Sequence, residues 1–450
     1  MPRLDGPGGL LWLSPQMPDK TFSPEPAVIH VTTPAERRRA FGILFVSLCC
    51  MGAGQTVLFN ILPPLSRQLH LSEVQTTSVF AVSAAIWVVS ATYWGKLSDR
   101  WGRKPIMLLG LVAFAASFAL FASVMLGGLE HWLPAVAVFP LMILARSLYG
   151  TLGSGTSPAA QAYVADRTTP QERMQGMAMV GSAFGLGTAV GPAIASVFSP
   201  FGLLAPFYFI SGLALASAAT IWFLLPERTP PKSFTHRPVG NVKWHDRRIL
   251  PFVIFAIVLS TASTVPVQTM GFFFIDMLHV KPSAQPYYIS VGQIASSAAA
   301  LFAQFVVVRY VKISSRAMTS IGLAAALVCC LIFLWSANFP VLVAGLALQG
   351  LGFGLARPGF TTGASLSVAP HEQGAVAGVI GGVSAIGFIG GPLIGWMYEW
   401  SPYVPYIFGA LLLAGLAIFQ WLSPTLRAAG VIPPDIEIVE EDVETPVANA

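Results

Sequence analysis

The chain has 450 residues, of which 54% are hydrophobic and only 10% are charged. A soluble domain carries roughly 25% charged residues, so this composition excludes an ordinary soluble protein. The formal net charge of +5 does not indicate a nucleic-acid partner, because the cations lie in short segments between long apolar runs. The composition therefore predicts an all-α protein that crosses a membrane many times.

Residues 1–39 precede the first apolar run and are rich in proline and polar groups. Their first 38 positions contain no apolar core, so we do not expect a cleaved signal peptide. We predict a disordered cytoplasmic tail here. The four cysteines lie in two adjacent pairs inside apolar runs and are expected to be packing residues rather than disulfide or metal ligands. They are Cys49, Cys50, Cys329 and Cys330.

Twelve apolar segments of about 20 residues follow, each long enough to cross a bilayer as a helix. The first six lie near 41–63, 74–95, 105–127, 136–164, 174–198 and 203–225. The second six lie near 249–276, 286–308, 317–336, 340–366, 374–398 and 403–424. We predict six-helix bundles over 40–225 and 249–425, separated by a cytoplasmic loop over 226–248. An acidic tail, also predicted to be disordered and cytoplasmic, covers 426–450.

The positions of the cations predict the orientation of the chain. With the N-terminus in the cytoplasm, all but four of the 25 Lys and Arg residues lie on the cytoplasmic side. Arg67 and Lys281 fall outside, and Arg146 and Arg357 fall within apolar segments. Since cytoplasmic loops of membrane proteins carry an excess of Lys and Arg, both termini are expected in the cytoplasm.

The two sets of six segments resemble each other. A shift of 213 residues aligns Gln55-Thr56 with Gln268-Thr269, and a shift of 200 residues aligns Gly191-Pro192 with Gly391-Pro392. Several further Gly, Pro and Glu positions match at the second offset. Matches in one order at two constant offsets indicate a duplicated six-helix unit. Such duplication predicts a solute site between the halves and a rocking motion that exposes it alternately to each side of the membrane.

The most densely charged internal segment, residues 95–105, has the sequence GKLSDRWGRKP. Such a segment cannot lie in hydrocarbon, and Gly95 and Gly102 permit a tight turn. The segment resembles the signature loop between helices 2 and 3 of the Major Facilitator Superfamily (MFS). The surroundings of Arg146 and the segment ending in Gly191-Pro192 also resemble patterns of this family, in particular its bacterial twelve-helix drug/proton antiporters.

The resemblance implies a charged gate between the two halves on the cytoplasmic side. In the family, the aspartate of the motif sits at the start of helix 11; here it corresponds to Asp99, which would join Arg103 and Asp166. The alternative is that these charges only set topology. The residues assigned to this gate are Gly95, Asp99, Arg100, Gly102, Arg103 and Asp166. The glycine-proline positions of helices 5 and 11 would allow these helices to approach the partner half closely and to bend, or would serve packing alone: Gly187, Gly191, Pro192, Gly391 and Pro392.

Few ionisable residues lie within the apolar segments, and an embedded charge is costly unless it serves a function. Arg146 matches the arginine of the family's fourth helix, for which the alternative is a structural hydrogen bond. Arg357 is a candidate cation for an anionic solute. Asp276 is either a proton carrier at the outer mouth or an exposed helix-end carboxylate. With the embedded amides, these arginines form the candidate substrate cavity: Gln55, Asn60, Arg146, Gln161, Gln268, Gln293 and Arg357.

The sequence therefore predicts a monomeric bacterial inner-membrane transporter that exports small amphipathic compounds, with the proton as candidate coupling ion. The alternative is a transporter of a small organic anion, with Arg146 and Arg357 as counter-charges and with weak or no proton coupling. A membrane enzyme or sensor is disfavoured, because the sequence contains no metal-ligand cluster or nucleophile–base pair. We expect no catalytic residue, metal, further cofactor or nucleic-acid partner.

Overall fold

The structure, a computed structural model, describes residues 34–168, 170–226, 244–311, 313–368 and 372–428. These parts of the chain are helical and contain twelve helices long and apolar enough to cross a membrane. The membrane-spanning all-α prediction is thus confirmed. Most of the predicted N-terminal tail, central loop and C-terminal tail falls outside the described residues.

The first half consists of six helices. They are α1 (Pro34–Gln68), α2 (Glu73–Trp101), α3 (Arg103–Leu129), α4 (Ala135–Ala165), α5 (Pro170–Phe198) and α6 (Ala205–Leu224). The second half begins with α7 (Leu250–Leu278), α8 (Gln285–Val307), α9 (Ser315–Trp335) and α10 (Phe339–Leu366). It continues with α11, in the three pieces Gln373–Ser384, Ile386–Ile389 and Gly391–Trp400, and with α12 (Val404–Leu422). A short helix, Pro424–Ala428, follows.

Helix starts follow directly from local sequence. Ser72 caps α2: its side chain accepts a hydrogen bond from the Gln75 amide, and the Gln75 side chain accepts one from the Ser72 amide. This reciprocal pair satisfies two backbone donors that the first turn leaves free. Several other helices have proline in the first turn, where its missing N–H costs nothing. Examples are Pro206, Pro251, Pro286, Pro340 and Pro405.

The junction between α2 and α3 is tighter than the sequence predicted. The α2 helix continues through Gly95 and ends at Trp101, so it extends beyond the predicted end of the second apolar segment at residue 95. Gly102 alone breaks the helix, with φ of 96°, a conformation that a side chain would strain. Apolar residues before Gly95 and the polar residues after it share one continuous helix, because nothing in the segment interrupts the i to i−4 hydrogen bonds before Gly102.

The buried apolar residues form separate clusters in the two halves. One cluster draws on residues between Ala40 and Leu225, and it includes the fully buried rings of Phe114, Phe118 and Phe207. Two further clusters draw on residues between Ile249 and Leu426. Large apolar side chains on the outside, such as Trp335 at 88% exposure, suit a lipid environment rather than water.

Successive helices alternate in direction, so the bundle has two ends. We call the end with the α2–α3 junction the basic end and the end with the α1–α2 junction the distal end. Three helices contain irregular turns. The α4 helix contains a 3₁₀ turn at Gly153–Gly155, α8 ends in a π-helical turn at Ala303–Val307, and α11 is interrupted around Gly390. Such interruptions within helices mark places where the backbone can bend.

Candidate functional site: the interface between the two halves

At the basic end, an ion pair joins the start of α3 to the end of α4. Arg103 Nε lies 3.2 Å from Asp166 Oδ2, and Arg103 Nη1 donates to Ser98 Oγ at 2.8 Å. The structure therefore brings together two of the predicted gate residues. Both belong to the first half, and the Asp99 side chain lies outside the described part of the chain, as does much of the start of α11. The predicted link between Asp99 and α11 stays a prediction.

A second basic-end cluster ties α7 to α11 within the second half. Arg248, just before α7, makes two hydrogen bonds to Glu372 at 2.8 and 3.0 Å, and its Nη2 lies 2.8 Å from Asp246 Oδ2. The hydrogen bonds from Arg248 hold the pKa of the Asp246 carboxyl below its usual value. The same partners raise the pKa of Arg248.

Arg146 lies at the centre of the first half and is 2% exposed. Its Nη2 donates to Gln55 Oε1 at 3.0 Å, and its guanidinium carbon lies 5.4 and 5.0 Å from the centres of the Phe118 and Tyr149 rings. Its Nε and Nη1 have no hydrogen-bond partner among the described residues. The Arg146 cation thus contacts one amide and two aromatic rings, and its remaining N–H groups can still donate hydrogen bonds to a solute or to water.

The embedded amides differ in their surroundings. Asn60 in α1 and Gln268 in α7 are buried, and no described residue bonds either polar atom of either amide. Gln293 in α8 is 9% exposed, whereas Gln161 is exposed and donates to Ser157 at 3.3 Å. Buried amides without partners are costly, so these two positions suit a polar solute group or water.

Arg357 lies on an exposed face of α10 and pairs with no carboxylate within the described ranges. Its carbonyl oxygen accepts a hydrogen bond from Thr361, one turn later. Among the seven predicted cavity residues, a hydrogen bond joins Gln55 to Arg146, and none joins Arg357 to the others within the described part of the chain. Arg357 remains a separate candidate cation.

The glycines of α5 and α11 allow several close helix contacts. A Cβ at Gly187 or Gly191 would collide with the α1 backbone at Cys49 and Ala53 respectively. These two glycines therefore pack against their own half, not against the other half as predicted. Gly391 does meet the other half, since a Cβ there would lie 3.0 Å from the Thr77 carbonyl oxygen. Pro192 lies inside α5, and Pro392 lies in the first turn of the last piece of α11.

Two layers of contacts close the halves against each other toward the distal end. In the inner layer, the Phe59 ring stacks on Phe80 at 4.6 Å, and Phe388 of the second half stacks on Phe59 at 6.0 Å. In the next layer, Gly395 packs on the α2 backbone, where an added Cβ would lie 2.7 Å from the Glu73 carbonyl oxygen. The two halves are therefore in direct contact at both of these levels.

A polar cluster at the distal end forms the outermost layer. Arg67 Nη2 lies 2.6 Å from Glu73 Oε1 in its own half and 2.8 Å from Asp276 Oδ2 in the other. Tyr398 donates to the same Asp276 oxygen at 2.9 Å, and the Glu399 carboxylate accepts from the Val74 amide at 3.0 Å. We call these charged and polar residues the distal cluster: Arg67, Glu73, Asp276, Tyr398 and Glu399.

Nearer the basic end, α2 and α11 have different neighbours. The α2 helix packs along Ile386–Ile389 and Gly391–Trp400 of α11, while Gln373–Ser384 packs on α7 and α10. Cβ atoms added at Gly181 and Gly185 in α5, or at Gly381 and Gly382 in α11, would meet nothing within 4 Å. Among the described residues, the contact between α2 and α11 is therefore concentrated toward the distal end.

Comparison with known proteins decides the family. The model of the Major Facilitator Superfamily matches residues 44–392 and, in a second overlapping match, residues 288–438. The chain belongs to the Major Facilitator Superfamily. The family resemblance drawn from residues 95–105 is thus confirmed.

Relatives and solved structures of MFS proteins extend over most of the chain. Multidrug resistance protein 2 of Bacillus subtilis (strain 168) is 27% identical over 395 residues, which cover 85% of this chain and 95% of that protein. The structure of the human organic anion transporter MFSD10 (TETRAN) superposes with a TM-score of 0.60 at 20% identity, covering 86% of this chain and all of that one. A bacterial homologue of the human lysosomal transporter Spinster, in an inward-facing and occupied conformation, gives 0.67 at 13% identity, covering 90% and 100%.

Sequence reasoning missed the distal cluster of this MFS protein. It placed Arg67 and Asp276 outside the bilayer but gave them no common role, because they are 209 positions apart. One sequence signal was available: Arg67 and Asp276 are opposite charges at the same expected end of the first helix of each half. Arg167 was also missed; it is 7% exposed, lies 3.6 Å from the centre of the Tyr163 ring and donates to the Pro226 carbonyl oxygen.

Proposed function

We propose that this MFS protein is a secondary transporter that works by alternating access and exports small amphipathic compounds. The observation that carries the proposal is the asymmetric interface between the halves: among the described residues, α2 packs on the distal pieces of α11, while Gln373–Ser384 packs on α7 and α10. A solute would enter from the basic end and reach the Phe59–Phe80–Phe388 stack. The buried amides lie beside this layer, since Asn60 follows Phe59 in α1 and Gln268 lies against Gly391. Two rigid halves that close at one end at a time are the working parts of such a carrier.

The orientation is part of the proposal. The basic end carries the Lys and Arg excess and would face the cytoplasm, with both termini on that side. The conformation described above would then face inward. We place the protein in the inner membrane of a bacterial cell, in line with a relative from Escherichia coli (strain K12) that is named an inner membrane transport protein. Export of drugs is in line with the Bacillus relative, which is named a multidrug resistance protein. It would act as a monomer embedded in lipid, without a nucleic-acid partner and not as an enzyme.

Export of amphipathic compounds is favoured by the chemistry along the path. The stacked rings offer apolar and aromatic surface, while the amides offer hydrogen bonds without fixed charge. Such a lining accepts solutes of varied structure, as expected for a multidrug exporter. The proton is the proposed coupling ion; no metal or other cofactor is required, and the gate at the basic end would consist of Arg103, Asp166 and Asp99.

Transport of a small organic anion is the second candidate, and a specific observation favours it. Arg146 is a buried cation with two unpaired donor nitrogens, and Arg357 is a cation with no ion-pair partner in the described part of the chain. A carboxylate or sulfonate could accept from either one. The structurally similar MFSD10 is named an organic anion transporter.

Flux measurements separate the two candidates. Purified protein in liposomes would be given a cationic amphipathic dye or a small aromatic carboxylate, with and without an imposed pH gradient. For a proton-coupled exporter we expect dye flux that depends on the gradient and that survives Arg357→Gln. Flux of the carboxylate alone, indifferent to the gradient and abolished by Arg357→Gln, would replace the first proposal with the second.

A further inference from the structure

The distal cluster contains two kinds of contact. Arg67–Asp276 and Glu399–Val74 join the two halves, whereas Arg67–Glu73 lies within the first half and Asp276–Tyr398 lies within the second. Arg67 uses the same nitrogen, Nη2, for both of its carboxylate partners, and Asp276 uses the same oxygen, Oδ2, for both of its donors. Each shared atom thus has one partner on each side of the interface.

This arrangement decides what remains when the halves separate. Arg67 would keep Glu73, and Asp276 would keep the Tyr398 hydroxyl, so neither charge would be left without a partner. A charge that loses its only partner in a partly buried site is strongly unfavourable, and that penalty would hold a gate shut. Here the penalty is reduced by a retained partner in each half.

We propose that the distal cluster is a gate in which Arg67 and Asp276 give up their contact across the interface while each keeps a partner within its own half. Asp276 and Glu399 favour the closed distal end, while Glu73 and Tyr398 favour its opening because they keep the separated charges paired. The inference rests on the proposed transport cycle, to which it assigns a distal gate. It also explains why a single cation faces two carboxylates: Asp276 pairs with Arg67 only when the distal end is closed, and Glu73 pairs with it in both states.

The partial exposure of the gate fits this role. The Arg67 and Asp276 side chains are 39% and 28% exposed, while Glu73 is 10% exposed. Water and salt therefore weaken the contact across the interface more than the contact to the buried Glu73. The Arg67 guanidinium also lies 5.4 Å from the centre of the Phe272 ring, which belongs to the second half and adds to the closed state. Such a gate favours closure without making it irreversible.

The proposal predicts opposite effects for neighbouring neutral substitutions. Asp276→Asn and Glu399→Gln remove contacts across the interface and should raise the ratio of open to closed distal ends about 2- to 10-fold. Glu73→Gln and Tyr398→Phe remove the partner that each charge keeps in the open state. They should therefore lower the ratio of open to closed distal ends by a similar factor. If the cluster only stabilised the fold, all four substitutions would change the ratio of open to closed distal ends in the same direction.

Distances between spin labels measure this ratio without any substrate. Cysteines at Val136 in α4 and Trp335 in α9 lie at the distal end on opposite halves, and both positions are more than 80% exposed. The four native cysteines make no disulfide and would first be changed to alanine. Double electron–electron resonance in lipid nanodiscs would then compare the four variants. Glu130→Gln removes an exposed carboxylate at the same end, outside the cluster, and should leave the distances unchanged.

Glu73→Gln and Tyr398→Phe would be measured in the Glu399→Gln background, where the open state is more populated and a decrease is visible. The proposal would be overturned if all four variants shifted the distance between the labels in the same direction, or if none of them changed it. Because the distances require no solute, a failure of the flux experiments would leave this result intact. Conversely, active transport with no opposite-sign pattern would remove the gate and keep the transporter.

Discussion

At Arg146, the effect of a substitution on transport can be distinguished from its effect on protein stability. Its two unpaired nitrogens indicate that the buried cation contributes little net stability, so its presence needs a functional reason. We expect Arg146→Gln to lower the flux of transported solutes about tenfold, equivalent to about 1.4 kcal/mol, while the melting temperature of the purified protein stays unchanged. Flux in liposomes and thermal unfolding in detergent would be measured on the same preparation.

Arg146→Lys is the informative companion to that variant. Lysine keeps the charge but cannot hold Gln55 while presenting a flat face to Phe118 and Tyr149. Flux should therefore fall in Arg146→Lys as well. If both variants lost melting temperature and flux in parallel, the role of Arg146 would be structural, as in the alternative of a hydrogen bond that only supports the helix.

Several site residues were predictable one at a time, but their grouping was not. The cost of an embedded charge identified Arg146 from the sequence alone. Its bond to Gln55 could not be predicted, since it depends on the rotation of α1 against α4. The distal cluster is the stronger case: its members lie on four helices from both halves, and their meeting depends on how the halves close, which no local pattern encodes.

At the scale of single helices, the α1–α5 contact depends on glycine. A Cβ at Gly187 would lie 2.8 Å from the Cys49 carbonyl carbon, so the backbones must move apart. We expect Gly187→Ala to lower the free energy of unfolding by roughly 1–3 kcal/mol. Gly185→Ala is the matched control, because it faces open space in the same helix and should be neutral or stabilising by up to about 1 kcal/mol. Equal effects in chemical unfolding would contradict the close contact.

The helices themselves were predictable because membrane spans obey a simple length and polarity rule. The sequence located all twelve to within several residues, including α4, which a 3₁₀ turn interrupts. It ended the second segment too early at Gly95, where glycine permits a turn without requiring one. The difference from Gly102 is only visible in the backbone: Gly102 has a positive φ, and Gly95 continues the helix.

At the scale of the whole molecule, the sequence indicated two related halves but not the state in which they meet. The repeat offsets predict a pseudo-symmetric pair of bundles, and each bundle alone could be packed in the same way in every state. The choice of a closed distal end depends on contacts between halves, such as Gly395 against α2. These contacts are few compared with those inside each half, so a single added methyl group can shift the balance.

Gly395→Ala is therefore expected to hold the distal end open. The added Cβ would lie 2.5 Å from Thr77 Oγ1 and 2.7 Å from the Glu73 carbonyl oxygen. The two halves could therefore not approach each other as closely at the distal end as they do with glycine at this position. The distance between labels at Val136 and Trp335 should shift to longer values, while the melting temperature of the protein changes little because each half keeps its own core. Gly382→Ala, in open space on the same helix, is the control.

The same variant tests the order of events in the gate. If Gly395→Ala keeps Arg67 out of reach of Asp276, then Glu73→Gln should no longer favour the closed end in that background, because the contact across the interface is already lost. The two changes would be non-additive, as expected for groups that act through one interface. An undiminished effect of Glu73→Gln in the Gly395→Ala protein would mean that Glu73 acts on the conformation independently of the contact between Arg67 and Asp276.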